Sequence, residues 1–351
     1  MTDHDARALK GLAIQAGVFL VTLAAANAVL VWYSPRHFLP EQKLAAVATA
    51  PEVGVVFLGD SRMVAGLDFR VLRDRFGQRG VTWPLSDLTL GAVDAPNQAV
   101  VFRALRRARS VRSGLVLGVS GDSLLASPDV TDPDLLVGNA AVGLSLSRGH
   151  DVFVRYPGFP LRHLDAGIRF SLNRLSALGS YKSLLWMYAR RLQDRLAGRT
   201  KGAGAANQFG LVGDMADLAS DFRNRTGMRF RYARTASGWR LDPWVDRLRA
   251  DLRRSGTPLV LVEVPMPADY RRAVTLSPDG RALRAWLAEQ CAVDGGLYID
   301  LSDALALGLT DDDFPDHLHL GPEGARRFSR VLGDRLALFF AGLAARPAAA
   351  L

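Results

Sequence analysis

In VGVVFLGDSRM, residues 53–63, a run of apolar, largely β-branched residues breaks into Gly-Asp-Ser-Arg. The run does not alternate, which is the pattern of a parallel strand buried on both faces. Ser61 therefore follows a buried strand, where open α/β sheets bind their ligands. It reads either as a nucleophile or as the N-cap of the next helix. A serine hydroxyl attacks a carbonyl only with a base nearby, usually a histidine oriented by a carboxylate. Of six histidines, His4 and His37 flank an apolar N-terminal segment, and His150 and His163 sit among ordinary polar and aromatic residues. His317 and His319 remain, in DDDFPDHLHLGPEGARRFSRVL. Asp316 lies three residues before His319, a spacing at which a carboxylate can reach one ring nitrogen and leave the other facing a serine. The same stretch also reads as a solvated acidic loop with an incidental histidine, and these residues alone leave both readings open.

The elements that must hold these groups follow from the pattern. Strand candidates recur at Val53–Leu58, within Val81–Leu90, and at Gly114–Val119, Pro258–Val264 and Leu297–Leu301. Helical spacing occupies the intervals, in APNQAVVFRALRRAR, DPWVDRLRADLRRSG and DGRALRAWLAEQC. Alternation of this kind predicts α/β architecture, with a mainly five-stranded parallel sheet in a flavodoxin-like, doubly wound order. Pro322 and Glu323 suit the first turn of a last helix, and Phe328, Leu332 and Leu336 give it an apolar stripe. Asp316 and His319 would then share a short loop just before that helix. The rhythm breaks between about 130 and 235, which reads as a partly helical insertion over the functional edge of the sheet.

The 351 residues are 49% hydrophobic and 23% charged, enough for one large or two modest domains and unlike a disordered chain. The formal charge of +9 comes with an excess of Arg over Lys, and no basic tract with interleaved aromatics suggests nucleic-acid binding. Cys291 is the only cysteine, which excludes an intramolecular disulfide, and its helical context marks it as a small buried residue. Asp311, Asp312 and Asp313 read as a solvated loop rather than a metal site. Glu263, Pro265 and Met266 follow the fourth strand and either line the site or form a structural turn, and Arg62 reads as an outward, salt-bridging residue. Residues 11–33 carry no charge over a length that spans a bilayer as a helix, and end in Trp32 and Tyr33, suited to an interface. Ala26-Asn27-Ala28 resembles a signal-peptide cleavage site, but the apolar run continues through VLVWY. The segment is therefore expected to be an uncleaved single-pass anchor. It would follow a cytoplasmic tail at 1–10 and precede a connector at 34–51 and the main domain at 52–345, with that domain outside the cytoplasm.

Gly-Asp-Ser after the first strand, joined to Asp-x-x-His before the last helix, resembles the SGNH/GDSL hydrolase superfamily. That family often carries DxxHLxxxG in its last block, and DHLHLGPEG matches it with His319, not His317, in register. The resemblance implies a triad of Ser61, His319 and Asp316 that makes and breaks an acyl-enzyme without metal or organic cofactor. It also makes Gly91, in LTLGA, a candidate oxyanion donor. The family's third block, Gly-x-Asn-Asp, is replaced here by Gly118-Val119-Ser120-Gly121-Asp122, so that Ser120 stands where the asparagine donor is expected. Anchored, exported relatives in that superfamily assist acetylation of surface glycans. The resemblance thus implies an esterase or O-acetyltransferase on an acylated envelope glycan, partnered by a multispanning membrane acyltransferase and by lipid around residues 11–33. The cytoplasmic (inner) membrane, with the domain in the periplasm or outside the cell, is the compartment that follows. A general carboxyl-ester or lipid hydrolase is the enzymatic alternative. A non-catalytic assembly or glycan-binding protein with an eroded site is the alternative of a different class, favoured by the missing asparagine and opposed by the intact Ser, Asp and His.

Overall fold

The computed structural model describes residues 3–37, 49–90, 113–119, 239–268, 276–315 and 318–345, with scattered residues at 42–47, 98–111, 124–125 and 189–196. The chain divides into two compact units, Met1–Ala45 with Pro133–Thr200, and Ala46–Asp132 with Lys201–Leu351. In the first, α1 (Asp3–His37) is one continuous helix. Its segment Lys10–Val29 has 20 residues with a mean hydropathy of 1.9, and none of its residues is buried. At 1.5 Å rise per residue this is long and apolar enough to cross a bilayer core of about 30 Å. The insertion expected at about 130–235 lies outside the described residues, apart from Ala189, Gln193 and Leu196, which are helical.

The second unit is built on five parallel strands, β1 (Val55–Gly59), β2 (Leu85–Asp87), β3 (Gly114–Val119), β4 (Leu259–Glu263) and β5 (Leu297–Asp300). Their spatial order is β2-β1-β3-β4-β5, the doubly wound order expected. Register sets Gly59 beside Gly118 and Val119 beside Glu263, so the carboxyl ends of the central strands are aligned. The central strands β1, β3 and β4 are short, buried and rich in Val and Leu because helices cover both faces of such a sheet, while the edge strands β2 and β5 are only partly buried. On one face Val55, Phe57, Val116, Val260, Val262 and Ile299 pack with α3 (Phe69–Gln78) and α6 (Pro322–Ala344). The pleat sends Val56, Leu58, Leu115, Leu117 and Leu261 to the other face, and all are buried. On that side stand α4 (Pro243–Arg254) and α5 (Pro278–Val293), whose buried residues include Leu248, Leu252, Leu283 and Leu287. Gln98, Ala99, Val101, Phe102, Leu105 and Arg106 are helical, as the periodicity predicts, and Arg106 Nη1 donates to Asp251 O at 3.0 Å.

Three features matter for what the sheet holds. Phe328, Leu332, Leu336 and Phe340 form a fully buried stripe along α6, each contributing about 1.5–3 kcal/mol by leaving water. Second, Gly256 and Gly295 adopt positive φ, 62° and 68°, where the chain leaves α4 and α5 and turns into β4 and β5. Third, an aspartate closes β1, β2 and β5 in the same manner. Asp60 Oδ1 accepts Arg62 N–H, Asp87 Oδ1 accepts both Thr89 N–H and Thr89 Oγ1–H, and Asp300 Oδ1 does the same with Ser302. These local bonds satisfy amides where the ladder stops at the carboxyl edge of the sheet.

Candidate active site

Ser61 begins α2 (Ser61–Gly66), directly after β1. Of its two readings, the capping one falls away, because Asp60 is the N-cap and its carboxylate takes the Arg62 amide at 2.9 Å. The Ser61 hydroxyl is left for other chemistry, and its Oγ lies 2.8 Å from His319 Nε2. These residues are 258 positions apart in the chain, and both are half-buried. A hydroxyl at that distance from an imidazole nitrogen can pass its proton to the ring as the oxygen attacks.

The position of Ser61 comes from close approach beneath α2. Met63 is fully buried and lies over Gly59 and Gly118, the paired residues at the ends of β1 and β3. A Cβ at either glycine would overlap the Met63 side chain, so only glycine lets α2 sit this low on the sheet. Gly66, at the far end of α2, meets α6, and a Cβ there would stand 3.1 Å from Cδ1 of the Phe328 ring. Leu88 N–H and Leu90 N–H donate to Phe57 O and Gly59 O, both at 2.9 Å, and carry the backbone after β2 alongside the end of β1.

His319 is held by the loop between the two 3-10 turns after β5 and the start of α6. Asp311–Asp313 forms the second of these turns, with Thr310 N–H donating to Asp313 Oδ2 at 2.9 Å. Gly321 N–H donates to Asp313 O at 2.8 Å and closes the loop at its base. Phe314 and Leu320 are buried and fasten its two arms to the core. The acidic trio is thus partly a folding device. Asp313 caps its own turn and lies 3.5 Å from Arg327, and Asp311 Oδ1 accepts Ala268 N–H at 3.5 Å. Among the described residues no group of three or more His, Cys, Asp or Glu side chains could hold a metal ion.

Other residues singled out in the sequence take definite places. Arg62 is not the outward residue expected: its side chain is 11% exposed and folds back onto Asp60 through Nε and Nη2. Its Nη1 meets Met266 Sδ at 3.6 Å, which sets the turn after β4 beside the residue that follows Ser61. Glu263 is structural, since it accepts Arg284 Nε–H and Tyr298 O–H, both at 2.6 Å. Burial, reinforced by the adjacent Glu263 carboxylate, pushes the Tyr298 phenol far above its ordinary range. Cys291 is buried as expected, and burial pushes its thiol up to about 12. Asp316, Gly91 and Ser120 lie outside the described residues, as does His317.

The placement of Ser61 also rests on Asp60 and Met63, to which the sequence pattern assigns no role at the site. Asp60 was legible as a cap, being an aspartate at the boundary between strand and helix. Nothing local marks Met63, whose role depends on two glycines brought together by strand pairing. No protein-family model matches the chain, and no curated protein matches it in sequence.

Proposed function

We propose that this chain is a membrane-tethered serine esterase or O-acyltransferase acting on acyl esters, with acetyl esters of an envelope glycan as the substrate class. The observation that carries the reading is the 2.8 Å contact between Ser61 Oγ and His319 Nε2 at the carboxyl edge of a parallel sheet. In this mechanism Ser61 Oγ attacks the ester carbonyl while His319 Nε2 takes its proton. The tetrahedral adduct collapses, the bond to the alcohol oxygen breaks, and His319 returns the proton to the departing alkoxide. The acyl group stays on Ser61 until water or a sugar hydroxyl attacks it, giving a proton to His319 and restoring Ser61. Asp316 would orient the imidazole and Gly91 would donate to the oxyanion, as resemblance to SGNH/GDSL hydrolases implies; where that family has an asparagine donor this chain has Ser120, and the third donor is either Ser120 or a group supplied elsewhere.

The apolar Lys10–Val29 helix supports the membrane tether, and in this reading the segment is retained rather than cleaved and the domain after it lies outside the cytoplasm. The test uses the full chain in detergent, a fluorophosphonate probe and a panel of acetyl esters. Wild type is expected to label at Ser61 and to hydrolyse at least one ester, and Ser61→Ala and His319→Ala to lose both activities. If wild type and Ser61→Ala are indistinguishable across probe and panel, the enzymatic reading is wrong and a binding or assembly role replaces it.

A further inference from the structure

We infer that Ser329 is a positioning residue for the Ser61–His319 contact, because its hydroxyl ties the helix that follows His319 to the short helix that begins with Ser61. The inference rests on the esterase reading above and concerns how the same site is kept in register.

Ser329 lies on α6 and is fully buried. Its Oγ donates to Gly66 O at 3.0 Å and accepts Asp68 N–H at 2.7 Å. Gly66 is the last residue of α2, and Asp68 is the N-cap of α3. One side chain thus joins α6 to the backbone between α2 and α3. At the other end of the same assembly, the His319 loop runs directly into α6 through Gly321, its N-cap. Ser61 and His319 are therefore linked by two routes, their own contact and the hydrogen-bonded path α2–Ser329–α6.

Packing alone would not require a hydroxyl here. Ala325, Phe328, Leu332 and Ala337 on α6 are also buried, and an alanine at 329 would fit the same space but would take this partner from Gly66 O and Asp68 N–H. Apolar packing tolerates small sliding motions, whereas two oriented hydrogen bonds on one oxygen fix both distance and direction. A nucleophile and its base need that precision, since a displacement of about 1 Å can cost up to about 100-fold in rate.

The test compares Ser329→Ala with Gly66→Ala and with Ile299→Val, all in the full chain in detergent and normalised to folded protein. Ile299 lies in β5, in the same apolar core. Ile299→Val reports general loosening of that core, and Gly66→Ala sets a Cβ 3.1 Å from the Phe328 ring at the α2–α6 contact without removing a polar partner. Hydrolysis of 4-nitrophenyl acetate and the rate of fluorophosphonate labelling are measured for each. Ser329→Ala and Gly66→Ala are expected to lower kcat and labelling about 10-fold with KM unchanged, while Ile299→Val keeps wild-type rates. Wild-type labelling in Ser329→Ala, or equal losses in Ile299→Val, overturns the positioning role. If Ser329→Ala does not fold, Gly66→Ala decides, with wild-type kcat as the refuting result. Failure of the esterase reading looks different: wild type itself then shows no labelling beyond Ser61→Ala, and this inference falls with it.

Discussion

Replacing Gly118 by alanine probes the contact that sets the height of α2 above the sheet. Gly118 lies in β3 without the positive φ that would strain another residue. At such a position Gly→Ala ordinarily stabilises by about 0.4–1 kcal/mol, because the unfolded chain loses freedom. Here the new Cβ would overlap Met63 Cγ and Sδ and stand 2.7 Å from Met63 Cε. The sign should therefore reverse, to a loss of about 1–3 kcal/mol from overpacking. Met63→Ala alone should cost about 2–5 kcal/mol, since the side chain is fully buried. Combining the two removes the overlap and lets the methyl introduced at position 118 occupy part of the vacated space. The double variant should then fall short of the summed losses by about 1–3 kcal/mol. Urea unfolding of the four proteins in one detergent gives the coupling energy. Additivity within about 0.5 kcal/mol, or a stabilised Gly118→Ala, would refute the claim that Met63 seats α2 on these glycines.

Arg249→Ala should destabilise by about 1–3 kcal/mol in the same urea assay, because it removes the 2.6 Å partner of the nearly buried Asp294 carboxylate and leaves Arg253, at 3.4 Å, as the remaining cation. Replacing the pair together by apolar residues should recover much of that loss. Cys291 should resist iodoacetamide at pH 8 in the native protein and react on unfolding, since burial holds its thiol at about 12 against an ordinary 9.0. The neutral thiol is the form favoured by folding, so its contribution is intact below pH 9.0 and is lost as pH rises toward about 12. An alkaline unfolding curve compared with Cys291→Ala tests the direction, and rapid native alkylation contradicts it. Mass spectrometry of the membrane-extracted protein should find residues 11–33 retained, whereas a new N-terminus after Ala28 would mean a cleaved signal.

Much of the architecture could be read from local pattern, because burial imprints itself on a sequence. The unalternating runs at Val53–Leu58, Gly114–Val119 and Pro258–Val264 correspond to strands, and Phe328, Leu332 and Leu336 do face the core. Helix α3 was missed, although Asp68 followed by Leu72 and Phe76 carries both a cap and an i,i+4 stripe. Short helices between apolar strands are hidden when their polar face, here rich in Arg, dominates the composition.

Residue types and spacing alone determined that Ser61 follows a buried strand, that His319 precedes an amphipathic helix, and that an uncharged N-terminal segment is long enough to span a bilayer. These properties depend on neighbours in the chain. The tertiary structure decided which strands pair, that Asp60 rather than Ser61 caps α2, that Arg62 folds inward, and that Ser61 and His319 meet across 258 residues. Each depends on groups distant in sequence whose encounter is set by packing, and no local pattern encodes the pairing of Gly59 with Gly118 that lets Met63, and with it Ser61, settle against the sheet.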